Sequence, residues 1–217
     1  MENRKIIIGD LHGCYDEALK ILEQVDYNKE TDQIYLVGDL IHRGLYSKAC
    51  FQFYYDYNCK SVLGNHELEH LKVKSGEWDE SSRVTTLKNE FGEELYGKFI
   101  TEISKWPLYI EEDEFILVHA GIPPDQSHLN SDLDILTTIR TVADPNDPSI
   151  IKPWFEFYTG EKLVVFGHWS RLGGLISKNV IGLDMGCVFG RSLRALVLPE
   201  RKIVEVKALK QYYNPIK

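Results

Sequence analysis

The chain has 217 residues, with Lys+Arg 25 against Asp+Glu 33 and a formal charge of −8, so residues 1–217 are expected to form one acidic domain. That balance argues against general nucleic-acid binding and against docking on an anionic membrane, although bound metal ions can make a site locally positive for an anionic substrate. No apolar run approaches transmembrane length, Met1–Ile8 is too short for a signal peptide, and Cys14, Cys50, Cys59 and Cys187 lack CxxC spacing, so reduced thiols in the cytoplasm are expected.

In chain order, Ile6–Ile8 reads as a buried strand stopped by Gly9. The following Asp10-Leu11-His12 puts two potential metal ligands at i and i+2, which point the same way if the backbone stays near-extended. By itself, such a pair is more often a capped turn. Tyr15–Val25 has apolar residues at helical spacing, Asp26–Asp32 is loop-like, and Ile34–Val37 is a strand ending in Gly38-Asp39. Residues 46–57 form a weakly amphipathic, aromatic-rich helix, and Ser61–Leu63 is a strand that runs into Gly64-Asn65-His66-Glu67. Three βαβ units in a row imply a mostly parallel sheet, with ligands gathering outside the carboxyl ends of its strands.

Leu68–Trp106 is charged and helical in pattern, with no chemistry assigned to it. Phe115–Val118 is a strand followed by His119-Ala120-Gly121; residues 122–149 read as a loop with one short helix near Leu133–Ile139. Leu163–Phe166 is a strand ending in Gly167-His168, Asn179–Leu183 leads to Asp184-Met185-Gly186, and Ser192–Leu198 with Lys202–Val206 makes a closing hairpin. The expected fold is α/β, two mixed β-sheets packed as a sandwich flanked by helices.

The polar residues after these strand ends are Asp10, His12, Asp39, Asn65, His66, His119 and His168. Oxygen and imidazole donors mixed in this way suit manganese, iron or zinc rather than calcium or a thiolate cluster. The set exceeds what one zinc takes and fits two ions sharing a carboxylate, the arrangement that clamps attacking and leaving oxygens in phosphoryl hydrolysis. Any one of these histidines alone would read as a core or surface residue; the weight lies in the recurrence. His70 and His128 fall outside the pattern and are expected to face solvent. Trp154 and Trp169 read as core or rim packing, with base stacking as the alternative, and Cys14 and Cys187 as small buried side chains.

GDLHG (9–13), GDLIHRG (38–44), GNHE (64–67), HAG (119–121) and GH (167–168) together resemble the calcineurin-like metallophosphoesterases of the phosphoprotein-phosphatase superfamily. Residues 14–17 (CYDE), 152–155 (KPWF), 166–169 (FGHW) and 182–187 (GLDMGC) look most like the bacterial symmetrical diadenosine-tetraphosphate hydrolases. The resemblance implies two divalent ions, with manganese expected and Co2+, Fe, Zn2+ or Mg2+ as alternatives. Asp10, His12 and Asp39 would hold the first, and Asp39, Asn65, His119 and His168 the second. It further implies attack by a metal-bound hydroxide, Arg43 and Arg140 gripping phosphoryl oxygens, and His66 protonating the leaving oxygen. Arg171, Arg191 and Arg194 are alternatives to Arg140 as the second clamp.

This sequence departs from the pattern in three places. His42 stands where protein phosphatases of the superfamily carry an aspartate that orients the catalytic histidine. A nucleotide phosphate, with a last pKa of about 6, tolerates a less supported acid better than a serine alkoxide does. The departure therefore favours anhydride cleavage, with a Ser/Thr or broad-specificity protein phosphatase as the alternative. The segment between HAG and KPWF is short, about thirty residues, which implies an open cleft, and Met185 stands where threonine is common. The implied partner is a dinucleoside polyphosphate, a phosphoprotein being the second possibility.

Overall fold

Alternation within the first strand, β1 (Arg4–Ile8), sets out the layers. Ile6 and Ile8 face a core of helices, whereas Ile7 faces a second core between two sheets, and all three are fully buried. The computed structural model describes residues 4–123 and 132–214, so His128 and part of the segment before Lys152 lie outside the described residues.

After β1 come α1 (Tyr15–Gln24), β2 (Asp32–Leu36), α2 (Ser47–Asp56) and β3 (Lys60–Ser61). β1, β2 and β3 are parallel, joined through α1 and α2 as two βαβ units where three were expected. Helices α3 (Asn65–Ser75) and α4 (Ser82–Ile103) follow, α4 being kinked at Gly92. Then come β4 (Tyr109–Glu111), β5 (Phe115–Val118), α5 (Leu133–Thr138), β6 (Thr141–Ala143), β7 (Ile151–Pro153) and β8 (Leu163–Phe166). The chain closes with β9 (Leu175–Ile176), β10 (Val180–Gly182), β11 (Ser192–Leu198) and β12 (Lys202–Lys207).

The first sheet has the order β12-β11-β1-β2-β3 and the second β4-β5-β8-β10-β9, with β6 and β7 as a separate hairpin. Both five-stranded sheets are mixed: β5, β8 and β10 are parallel, and antiparallel strands flank them and the β1–β3 set. Between the sheets lie Ile7, Tyr35, Val37, Phe115, Leu117, Leu163, Val165 and Ile181. The residues that alternate with these, Ile116, Val118, Val164 and Phe166, pack outward around the fully buried Trp154. Helices α1 to α4 cover the other face of the first sheet through Ala18, Ile21, Phe51, Phe53, Leu68 and Phe99. Burying each large side chain of this kind contributes roughly 1.5–3 kcal/mol. The expected two-sheet sandwich with flanking helices is the observed architecture.

The stretch 122–149 is not wholly loop, because β6 lies within it. Three residues are too few for an alternation signal. The edge strands β4 and β9 were invisible for the same reason. Among the described residues no helix is long and apolar enough to cross a membrane.

Candidate metal centre and phosphate cleft

Six strands, a parallel set of three in each sheet, are each followed by polar residues that gather at one site. β1 leads to Asp10 and His12, β2 to Asp39, β3 to Asn65, β5 to His119, β8 to His168 and β10 to Asp184. The connecting backbones are locked together: the His12 N–H donates to the Asp39 carbonyl at 2.8 Å and that of Gly13 to Leu40 at 2.9 Å. His12, Asp39, His42, Arg43 and His168 all have left-handed backbones, with φ of 43°, 52°, 71°, 68° and 62°. A non-glycine residue in that region carries strain that surrounding structure must hold in place, and such strain concentrates at functional sites. His12 therefore does not continue an extended strand beside Asp10, as residue spacing suggested. Its Nε2 comes within 3.5 Å of Asp39 Oδ2.

Asp39 lies at the centre. Its Oδ2 is 3.5 Å from His12 Nε2 and 3.9 Å from His66 Nε2, while Oδ1 is 3.5 Å from His119 Nε2. Burial alone would raise its carboxyl, but His119, His66 and His12 hold it well below the usual carboxylate range. Two groups of donors within metal-binding reach share it, His12–Asp39–His66 and Asp39–His119–His168. Asn65 joins the second group, its Oδ1 lying 3.0 Å from His119 Nε2 and 2.9 Å from His168 Nδ1. Asp10 sits beside these groups, both its oxygens accepting the backbone N–H of His168.

Glycine makes this closeness feasible at two points. A Cβ at Gly64 would overlap the Asp39 carboxylate, and one at Gly167 would overlap that of Asp10.

The donor set fits divalent ions. His12 donates Nδ1–H to the Ile41 carbonyl at 2.9 Å and His119 donates to Val37 at 2.6 Å, which leaves each Nε2 lone pair facing Asp39. Burial pushes His12 down to about 4 and His168 to about 3, so both stay neutral, the form a metal requires. Nε2 of His66 and of His168 are buried without a hydrogen-bond partner. Burial, with Asp184 and Asp39 nearby, pushes the Asp10 carboxyl well up, and burial with Asp39 moves Asp184 to about 6. Three buried carboxylates crowded among imidazoles form a pocket that a cation relieves.

Beyond the donors opens a cleft of about 580 Å³ lined by Arg43, Arg140, His168, Trp169, Ser170, Arg171, Phe189 and Arg191. Arg43 donates to His12 Nε2 at 2.6 Å, its guanidinium lying 5.5 Å from the centre of the Phe189 ring. Arg140 and Arg43 line the same cleft, and so do two of the alternatives, Arg171 and Arg191. Arg194 does not: it is buried and paired with Glu205. Trp169 is on the rim, whereas Trp154 is core, donating to the Ala120 carbonyl at 3.1 Å.

Two expectations need correction. His70 does not face solvent; it is fully buried, one helical turn after His66 on α3, in contact with His42 and Tyr96. The Leu68–Trp106 region, expected to carry no chemistry, thus supports the site through His70 and Tyr96. The spacing i, i+4 from His66 was the available signal. Glu67 carries no signal of its own in the sequence. Fully buried, it accepts the backbone N–H groups of Asp39 and Leu40, both at 2.9 Å, and so holds the loop that carries Asp39. Asp184 follows a strand end as the other donors do, and that pattern could have singled it out.

This is a sandwich fold carrying a phosphoesterase-type donor set, and the calcineurin-like phosphoesterase family model matches residues 4–184. The chain belongs to that family. Among curated relatives, it is 29% identical to the symmetrical bis(5'-nucleosyl)-tetraphosphatase of Vibrio campbellii over 94% of this chain and 98% of the relative. It is 27% identical to the Neisseria gonorrhoeae protein of the same name over 93% and 94%. A crystal structure provisionally assigned as a diadenosine tetraphosphatase superposes with a TM-score of 0.84 at 28% identity, covering 96% of this chain and 95% of that one. A cold-active protein tyrosine phosphatase, at 16% identity and a TM-score of 0.62, shares the fold.

Proposed function

We propose that this chain is a metal-dependent hydrolase that splits diadenosine tetraphosphate symmetrically into two ADP. The carrying observation is the cleft, in which Arg43, Arg140, Arg171 and Arg191 line one opening with Trp169 and Phe189, directly beside the donor groups. A run of four phosphates carries charge for several guanidinium groups, and adenine rings find aromatic and guanidinium faces on which to stack. Such a track exceeds the needs of one phosphoserine. The names of the Vibrio and Neisseria relatives support the same substrate.

In this reading Asp10, His12 and Asp39 would hold one divalent ion, and Asp39, Asn65, His119 and His168 a second, with manganese the expected metal. Bound ions would supply Lewis-acid stabilisation of phosphoryl charge and a water acidic enough to attack at neutral pH. The chain's own part is positional. Ile41 and Val37 fix the tautomers of His12 and His119, and Glu67 fixes the Asp39 loop. Arg43 and Arg140 bind phosphoryl oxygens, and His66 Nε2 faces the reacting centre next to Asp39. The reading includes residues 1–217 as a single catalytic domain and a reducing, cytoplasmic setting, supported by four buried free thiols.

Arg43→Ala removes a charge-assisted contact, so kcat/KM for diadenosine tetraphosphate is expected to fall about 10- to 100-fold. A steady-state comparison with wild type checks this. The substrate class is tested by measuring kcat/KM with added Mn2+ on diadenosine tetraphosphate and on a phosphoserine peptide. The dinucleotide is expected to be the better substrate by at least about 100-fold, the size of one or two charge-assisted contacts. Faster turnover of the peptide overturns the proposal.

A further inference from the structure

His66 is the inner end of a row of four hydrogen-bonding side chains. Its Nδ1 lies 2.7 Å from His42 Nδ1; His42 Nε2 lies 2.9 Å from His70 Nε2; His70 Nδ1 lies 2.9 Å from the Tyr96 hydroxyl. The three imidazoles are buried, and Tyr96 is half-buried at the outer end. Among the described residues neither His42 nor His70 is in an ion pair.

A neutral imidazole has one N–H and one lone pair, so each ring in such a row donates at one side and accepts at the other. The direction of any one bond therefore sets all the others. If the row ran outward from His66, Nε2 of His66 would hold a lone pair and act as a metal ligand, completing the His12–Asp39–His66 group. If it runs inward from Tyr96, the opposite tautomer results. The Tyr96 end decides. A phenol is a good donor and a poor acceptor, and the ring nitrogen of His70 is the hydroxyl's partner in the structure. Tyr96 O–H therefore donates to His70 Nδ1, His70 Nε2–H to His42 Nε2, and His42 Nδ1–H to His66 Nδ1. The proton of His66 is then on Nε2, the buried atom that has no other partner and lies 3.9 Å from Asp39 Oδ2.

We infer that Tyr96, His70 and His42 are positioning residues that fix His66 as its Nε2–H tautomer, a hydrogen-bond donor to the leaving oxygen and not a metal ligand. The inference rests on the functional reading above and narrows its substrate class. A neutral N–H stabilises an oxygen that departs as an anion, as the phosphate of ADP does. It is a weak source of the full proton that a serine alkoxide demands. His42 in place of a carboxylate thus selects anhydrides over alkyl phosphate esters.

The test is the ring 15N spectrum of histidine-labelled protein, metal-free and loaded with diamagnetic Mg2+, with His66 assigned by its loss in His66→Gln. His66 is expected to show a protonated, pyrrole-type Nε2 and a pyridine-type Nδ1 in both states. A pyridine-type Nε2 overturns the inference, and this readout needs no altered row. Tyr96→Phe removes only the terminal hydroxyl and keeps the ring packed against Phe99. That variant is expected to lose the single tautomer at His66 and about five- to tenfold in kcat, the worth of one hydrogen bond, with KM unchanged. An unchanged tautomer and unchanged kcat in Tyr96→Phe also overturn it. If the wild type shows the expected tautomer but does not cleave diadenosine tetraphosphate, the functional reading fails and the tautomer assignment stands. Cleavage with a lone pair on His66 Nε2 is the reverse outcome.

Discussion

Asp39→Asn is expected to lower kcat/KM by at least about 1,000-fold on any phosphorylated substrate, because the reaction loses charge stabilisation worth several kcal/mol. Each Asp39 oxygen faces different imidazoles, Oδ2 toward His12 and His66 and Oδ1 toward His119. An amide has one acceptor oxygen and no charge, so it can serve only one side. Asp39 is also, among the described residues, the carboxylate that belongs to both donor groups, whereas burial pushes Asp10 and Asp184 toward protonation. The substitution should therefore reduce bound metal from two equivalents per chain, measurable by elemental analysis after dialysis, while the fold remains. Near-wild-type turnover in Asp39→Asn would remove the basis for a shared carboxylate.

Glu67→Gln is expected to lower kcat about 10- to 100-fold without contacting substrate, the usual cost of losing an outer partner of a metal ligand. A carboxyl oxygen accepts an N–H whether or not it carries the proton, whereas the glutamine NH2 only donates and is set against one of the two backbone N–H groups of Asp39 and Leu40. Stability should respond differently. Burial, and then the charge of Asp39, push the Glu67 carboxyl up to about 8 from an ordinary 4.5. The folded state therefore holds a proton that the unfolded chain has lost between those values. Glu67's contribution to wild-type stability is present below pH 4.5 and is lost as pH rises toward 8. Glutamine does not titrate, so thermal unfolding of metal-free protein should show the variant gaining on wild type between pH 5 and pH 8. A variant that loses ground over that window would contradict the assignment of Glu67 as a buried, raised carboxyl.

Strands that are apolar on both faces, such as Ile6–Ile8, Phe115–Val118 and Leu163–Phe166, were legible because burial between two layers demands continuous β-branched and aromatic runs. So were the donors that follow them, since each comes just after a strand that stops at glycine or in a short turn. Side chains that act through others were less visible. His70 and Tyr96 lie on different helices and meet only through α3–α4 packing, so no local spacing connects them. Glu67 looks like any helical glutamate until the backbone of Asp39 is laid against it. Arg171 and Arg191 could be sorted from Arg194 only by topology, because Arg194 alone of the three lies within β11 and meets Glu205 across the β11–β12 pair. The left-handed backbones of His12, Asp39 and His168 likewise follow from interlocked loops, not from their own residue types.

Hydrolysis of diadenosine tetraphosphate in 18O-water with added Mn2+, with nucleotides separated and weighed, tests the central claim most directly. The arginine-lined cleft beside a shared Asp39 predicts ADP as the sole nucleotide product, with one 18O on the terminal phosphate of one of each two ADP molecules. ATP with AMP would contradict symmetrical attack, and no turnover of the dinucleotide would contradict the proposed function.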